Sequence, residues 1–148
     1  MRLEGGCHCG AMRYRIESEP ICVNGCHCRD CQKPTGSAFA VNAMIERNRV
    51  TVLEGQPVTD GEAGTRCGHC GVLLWATHPM FGDGILFLRV GTLDQSERMA
   101  PDAHFFVRSK HPWIVLPEAV PAFDTLPGEG ETLFTPAQRA RVAAAMHA

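Results

Sequence analysis

The chain has 148 residues, 45% of them hydrophobic and 20% charged, with a formal net charge of -2. This is the length of one domain, and it is enough to bury a core without metal to make up for smallness. The ordinary composition excludes a disordered chain or a coiled coil, the mild acidity argues against a dedicated nucleic-acid surface, and no apolar run nears the roughly 20 residues that span a bilayer.

In chain order, the N-terminus shows no apolar leader and no small-residue cleavage site, so the expected compartment is a reducing cytoplasm. Met12, Tyr14 and Ile16 alternate with Arg13, Arg15 and Glu17, which predicts a half-buried strand. Residues 21–23 form a short apolar entry to a cysteine cluster. Residues 33–37 (Lys33, Pro34, Thr35, Gly36, Ser37) read as a loop with hydroxyls and exposed amides. Phe39, Val41, Ala43 and Ile45 make one face of a strand over 37–45. Further strands are predicted at 50–53, 72–75, 85–90 and 104–107. Gly and Pro interrupt the chain at short intervals, the pattern of a mainly β fold. Residues 117–130 read as an extended tail. One helix follows, over about 136–146, with Thr135 as N-cap, Pro136 at N1 and Gln138 completing a capping box. The expected organisation is a domain over 1–123 and a C-terminal extension over 124–148.

Eight cysteines in a reducing compartment point to metal binding or thiol chemistry, not to disulfides. Seven fall into three clusters: Cys7-His8-Cys9, Cys26-His27-Cys28-Arg29-Asp30-Cys31 and Cys67-Gly68-His69-Cys70. They divide as four plus three. Residues i and i+2 of a strand lie roughly 7 Å apart, whereas two sulfurs on one zinc lie roughly 4 Å apart. Cys7 and Cys9 therefore need a sharp turn, which Gly5, Gly6 and Gly10 permit. Cys67 and Cys70 form a C-x-x-C knuckle with its own glycines. Neither pair fills a tetrahedron alone; together they make a four-thiolate structural site. Closing the long loop between them costs on the order of 3–4 kcal/mol, against roughly 10–16 kcal/mol for structural zinc in peptides.

Cys26, Cys28 and Cys31 supply three thiolates from six residues. Their metal keeps a fourth position for water, a substrate, Cys22 or a histidine. Cys22, between Ile21 and Val23, reads as a buried thiol. His8, His27 and His69 read as neighbours of the ligands, His27 being the most notable. His27, Thr35, Gly36 and Ser37 are candidate substrate contacts. Trp75, Phe81 and Trp113 read as core, with a pocket lining as the alternative.

The ordered set of clusters, with Thr35-Gly36-Ser37-Ala38-Phe39, Val90-Gly91-Thr92-Leu93-Asp94 and the stretch from His104 to Trp113, resembles the glutathione-dependent formaldehyde-activating enzyme family, also called centromere protein V-like. The resemblance runs from about Gly5 to Phe123. It implies a β-tent fold of short antiparallel strands with two zinc ions. It gives Cys7, Cys9, Cys67 and Cys70 to a structural ion and Cys26, Cys28 and Cys31 to a functional one. The implied activity is a carbon–sulfur lyase type, joining formaldehyde to glutathione or a similar small thiol. Two other readings stand beside it: a zinc-stabilised protein-interaction module without catalysis, and a zinc-water hydrolase with His27 or Asp30 as base.

Overall fold

The computed structural model describes residues 1–60, 64–128 and 133–147. Ten short strands form two sheets. Strands β1 (Leu3–Gly6), β2 (Arg13–Ile16) and β5 (Val50–Glu54) make a three-stranded sheet in the order β1-β2-β5. The larger sheet contains β3 (Cys22–Cys26), β4 (Ala40–Glu46), β6 (Pro57–Thr59), β7 (Gly64–Cys67), β8 (Leu73–His78), β9 (Gly82–Arg89) and β10 (Ala103–Phe105). Its order is β10-β3-β4-β9-β8-β7-β6. The fold is mainly β, as the sequence indicates. One pairing departs from the antiparallel expectation: β10 runs parallel to β3, with His104 opposite Gly25.

The two sheets enclose the main core. Tyr14 and Ile16 of β2, with Met12 before it, are buried against Trp75, Leu86 and Leu88 of β8 and β9. Tyr14 and Trp75 meet edge to face at 5.6 Å, an arrangement favoured by the ring quadrupoles. The Tyr14 hydroxyl reaches Thr92 Oγ1 at 2.7 Å, so the buried phenol is not left unpaired.

Strand β4 is buried on both faces. Val41, Ala43 and Ile45 face the main core, while Met44 joins Ile21, Cys22 and Ile85 in a second cluster. That cluster is covered by the C-terminal helix α2 (Pro136–Met146), through Val142 and Ala145, and by Phe134 just before it. The capping box at Thr135 and Gln138 is present. A Cβ on Gly84 would collide with the Ala145 carbonyl, so a glycine on β9 lets the helix lie directly on the strand. Arg141 clasps the buried carboxylate of Glu46, with Nε at 2.7 Å and Nη2 at 2.6 Å from its oxygens.

The predicted tail is described through Gly128 and is held to β10, where Phe123 N–H donates to the His104 carbonyl at 2.9 Å. Residues 129–130 of that prediction, and Ala148 at the chain end, lie outside the described residues. Among the elements not expected as such are β1, β3, β6, β7 and a helix, α1 (Arg29–Thr35). The predicted loop at 33–37 is the end of this helix and its C-cap.

Candidate metal centres and the adjoining cavity

The four-cysteine group is built from two matching turns. After β1, the chain turns through Cys7–Gly10, and Gly10 takes φ +83°. After β7 it turns through Cys67–Gly71, and Gly71 takes φ +76°. Each turn points amides at its first sulfur. Met12 N–H donates to Cys7 Sγ at 3.2 Å, and the amides of His69 and Cys70 donate to Cys67 Sγ at 3.3 and 3.4 Å. Gly5 and Gly6 lie within β1 and do not form the turn.

The sulfurs of Cys7, Cys9, Cys67 and Cys70 all lie within 4.8 Å of one another, with Cys7 to Cys9 at 3.5 Å and Cys9 to Cys67 at 3.7 Å. Two sulfurs on one zinc are expected roughly 4 Å apart. The donor set thus fits a tetrahedral thiophilic ion, and His8 and His69 stay exposed outside it.

Cys26 ends β3, Cys28 is the N-cap residue of α1, and Cys31 lies in the first turn of that helix. The β-to-α transition folds the three sulfurs within 4.8 Å of one another, and Cys26 and Cys28 approach to 3.4 Å. The hydrogen bond from Cys31 holds the Cys26 thiol below its usual range, and the same bond pushes Cys31 up. Among the described residues no fourth cysteine, histidine or carboxylate joins the group. Cys22 instead lies in the second apolar cluster, where burial pushes its thiol up to about 12.

His27 is fully buried behind the ligands. It stacks on Phe39 at 4.6 Å, and its Nε2 lies 3.0 Å from His104 Nδ1. Burial, then the neighbouring His104, brings it down to about 4, and burial lowers His104 as well. His27 therefore supports the site from within the core and does not face a solute. Gln32, also buried, ties α1 in place by donating to the carbonyls of His27 at 2.7 Å and Ser109 at 3.0 Å.

A cavity of about 490 Å³ opens beside α1, between the start of β4 and the knuckle after β7. Thr35 and Ser37 reach it, but the expected exposed amides do not exist. The amides of Gly36 and Ser37 close the helix by donating to the carbonyls of Lys33 and Gln32, and Gly36 is the left-handed C-cap residue. The Thr35 and Ser37 hydroxyls donate to the Cys31 and Phe39 carbonyls. Both remain acceptors for an N–H of a ligand. The cations of the cavity are Arg66 and Arg89, which sequence spacing did not single out. Of the aromatics, Trp75 and Phe81 pack in the two cores, while Trp113 is 68% exposed and stacks on His111.

The glutathione-dependent formaldehyde-activating enzyme family matches residues 2–109, most of the chain and all seven clustered cysteines. The chain belongs to this family. A Halomonas elongata relative, provisionally named a glutathione-dependent formaldehyde-activating enzyme, is 28% identical over 127 residues, covering 77% of this chain and 80% of its own. A Penicillium rubens relative with the same provisional name is 30% identical over 115 residues; this chain spans only 59% of it. A crystal structure of a Rhodobacter sphaeroides protein aligns with a TM-score of 0.49 at 20% identity, over 63% of this chain and 89% of that one. No helix among the described residues is long and apolar enough to cross a membrane.

Proposed function

We propose that the chain is a zinc-dependent enzyme of the carbon–sulfur lyase type, which adds a small thiol such as glutathione to formaldehyde and catalyses the reverse cleavage. The carrying observation is the three-sulfur group of Cys26, Cys28 and Cys31, without a fourth protein ligand among the described residues, beside a cavity large enough for a small molecule. Cys26, Cys28 and Cys31 would hold a zinc ion, which would supply an open coordination position and lower the pKa of a thiol placed there. In the addition, sulfur forms a bond to the formaldehyde carbon, the carbonyl π pair moves to oxygen, and the thiol proton ends on that oxygen. The chain contributes orientation. Gln32 and the His27–His104 pair fix the ligand loop, and Thr35 and Ser37 offer acceptors to the thiol's amide or ammonium groups.

The four sulfurs of Cys7, Cys9, Cys67 and Cys70 have no such vacancy in their donor count, which supports a purely structural ion. The hydrolase reading loses support from geometry: His27 is buried and engaged, and Asp30 is exposed on α1. Exchange spectroscopy of formaldehyde with glutathione, with and without protein, tests the proposal. Acceleration by the wild type that disappears in Cys28→Ser is the expected result. A fully metallated wild type that leaves the exchange rate unchanged removes the activity and leaves the interaction-module reading.

A further inference from the structure

The family name says nothing of what grips the thiol's acidic ends, and the cavity beside α1 contains a cation suited to it. Arg89 is the last residue of β9 and pairs in register with Asn42 of β4. Its Nη1 donates to Asn42 Oδ1 at 3.0 Å, and Asn42 is itself buried. This fixes the guanidinium while leaving its other N–H donors directed elsewhere. The remaining arginines that approach carboxylates are committed: Arg13 to Asp94, Arg15 and Arg2 to Glu17, Arg66 to Asp60, Arg49 and Arg141 to Glu46. Arg89 is half-buried, yet no carboxylate of the described residues lies within ion-pairing distance of it. A partly desolvated cation without a counterion is costly unless an anion completes it. A planar guanidinium is the side chain best matched to a carboxylate.

The surroundings select the rest of the ligand. Arg89 shares the cavity with Thr35 and Ser37 from the end of α1 and with apolar Val72 and Leu73. Thr35, on the cavity wall, donates its hydroxyl to the Cys31 carbonyl at 2.7 Å. The cavity therefore places Arg89 beside the end of the helix that carries Cys31.

We propose that Arg89 is a substrate-binding residue that pairs with a carboxylate of the thiol substrate and makes the enzyme selective for anionic thiols. This rests on the thiol-adding activity proposed above. The matched probes are glutathione and its diethyl ester, which lacks both carboxylates. Arg89→Gln keeps a donor for Asn42 and removes the charge. The expected result is a rise in KM for glutathione of about 10- to 100-fold, the loss typical of a charge-assisted hydrogen bond, with kcat within about twofold and the diethyl ester unaffected. Arg89→Lys, which keeps the charge and loses the fork, recovers part of the KM and guards against misfolding of the first variant. Zinc content and circular dichroism unchanged from wild type accompany that result.

A second arm needs no turnover. S-methylglutathione keeps both carboxylates and cannot form the new carbon–sulfur bond. Calorimetric titration of the zinc-loaded wild type is expected to show binding that weakens about 10- to 100-fold in Arg89→Gln. If that holds while glutathione and formaldehyde do not react faster, the anchor stands and the catalytic reading falls. If turnover is present but Arg89→Gln leaves the KM for glutathione unchanged, raises it equally for the diethyl ester, or leaves S-methylglutathione binding unchanged, the anchor is overturned. Failure of S-methylglutathione to bind the wild type also overturns it.

Discussion

His27 stands between two candidate ligands, yet its ring turns inward to Phe39 and His104. The spacing of the sequence shows the neighbour relation but not the direction of the ring, because that depends on β10 returning beside β3. The same return explains Gly25, where a Cβ would lie 2.6 Å from His104 Nδ1. Gly25→Ala therefore drives His104 from its place and is expected to cost about 1–3 kcal/mol, by the usual penalty for overpacking. Denaturant unfolding of the zinc-loaded protein checks this; an unchanged midpoint would show that the His27–His104 contact is dispensable. Cys22 gives the complementary lesson. Its apolar flanks, Ile21 and Val23, already mark it as packing material, and the structure places it in the second cluster rather than at the metal group.

Among the elements, those with strong local signals were readable from sequence. The alternation of Met12, Tyr14 and Ile16 gives β2, and the Thr135–Gln138 capping box gives the start of α2. Helix α1 was hidden, since Pro34 and Gly36 are breakers and the helix has only seven residues. It is held by Gln32, which donates to the carbonyls of His27 and Ser109. Strands β6 and β7 were equally silent, being too short to show a period. The packing of α2 was also unreadable, because it depends on Glu46 meeting Arg141 far along the chain. Burial by itself would raise the Glu46 carboxyl, but Arg141, aided by Arg49, brings it below its ordinary value of 4.5. A carboxyl lowered in the folded state adds stability above its unfolded value and loses it as pH falls through the folded one. The stability gap between wild type and Glu46→Gln is therefore expected to narrow as pH drops below about 4.5. Arg141→Ala, which strands the buried carboxylate, is expected to cost about 2–3 kcal/mol near neutral pH. Thermal unfolding across pH measures both, and a gap that widens in acid would contradict the assignment.

For the molecule as a whole, the four-sulfur group is a joint between sheets. Cys7 and Cys9 follow β1 of the smaller sheet, while Cys67 ends β7 of the larger one and Cys70 lies in the turn after it. The three-sulfur group lies within one sheet and its adjoining helix. Loss of metal should therefore have unequal consequences. Cys67→Ser is expected to lose cooperative unfolding, since a metal held by the four sulfurs would supply folding energy to the joint. Cys28→Ser is expected to keep the fold and lose only the second ion. Metal analysis with near-ultraviolet circular dichroism separates the two, and equal disruption by both variants would remove the distinction between structural and functional ions. The four-plus-three division was legible in the cysteine spacing; the cavity and Arg89 were not, because they require β4, β9, β8 and β7 to be brought together in one sheet.

The division itself is tested most directly by zinc-edge X-ray absorption on the full chain, purified anaerobically, before and after addition of glutathione. With two zinc ions per chain, one with four cysteine sulfurs and one with three, the average sulfur shell lies between three and four and rises to four when the thiol binds. Four sulfurs per zinc before any thiol is added, or a single zinc per chain, would contradict the open site.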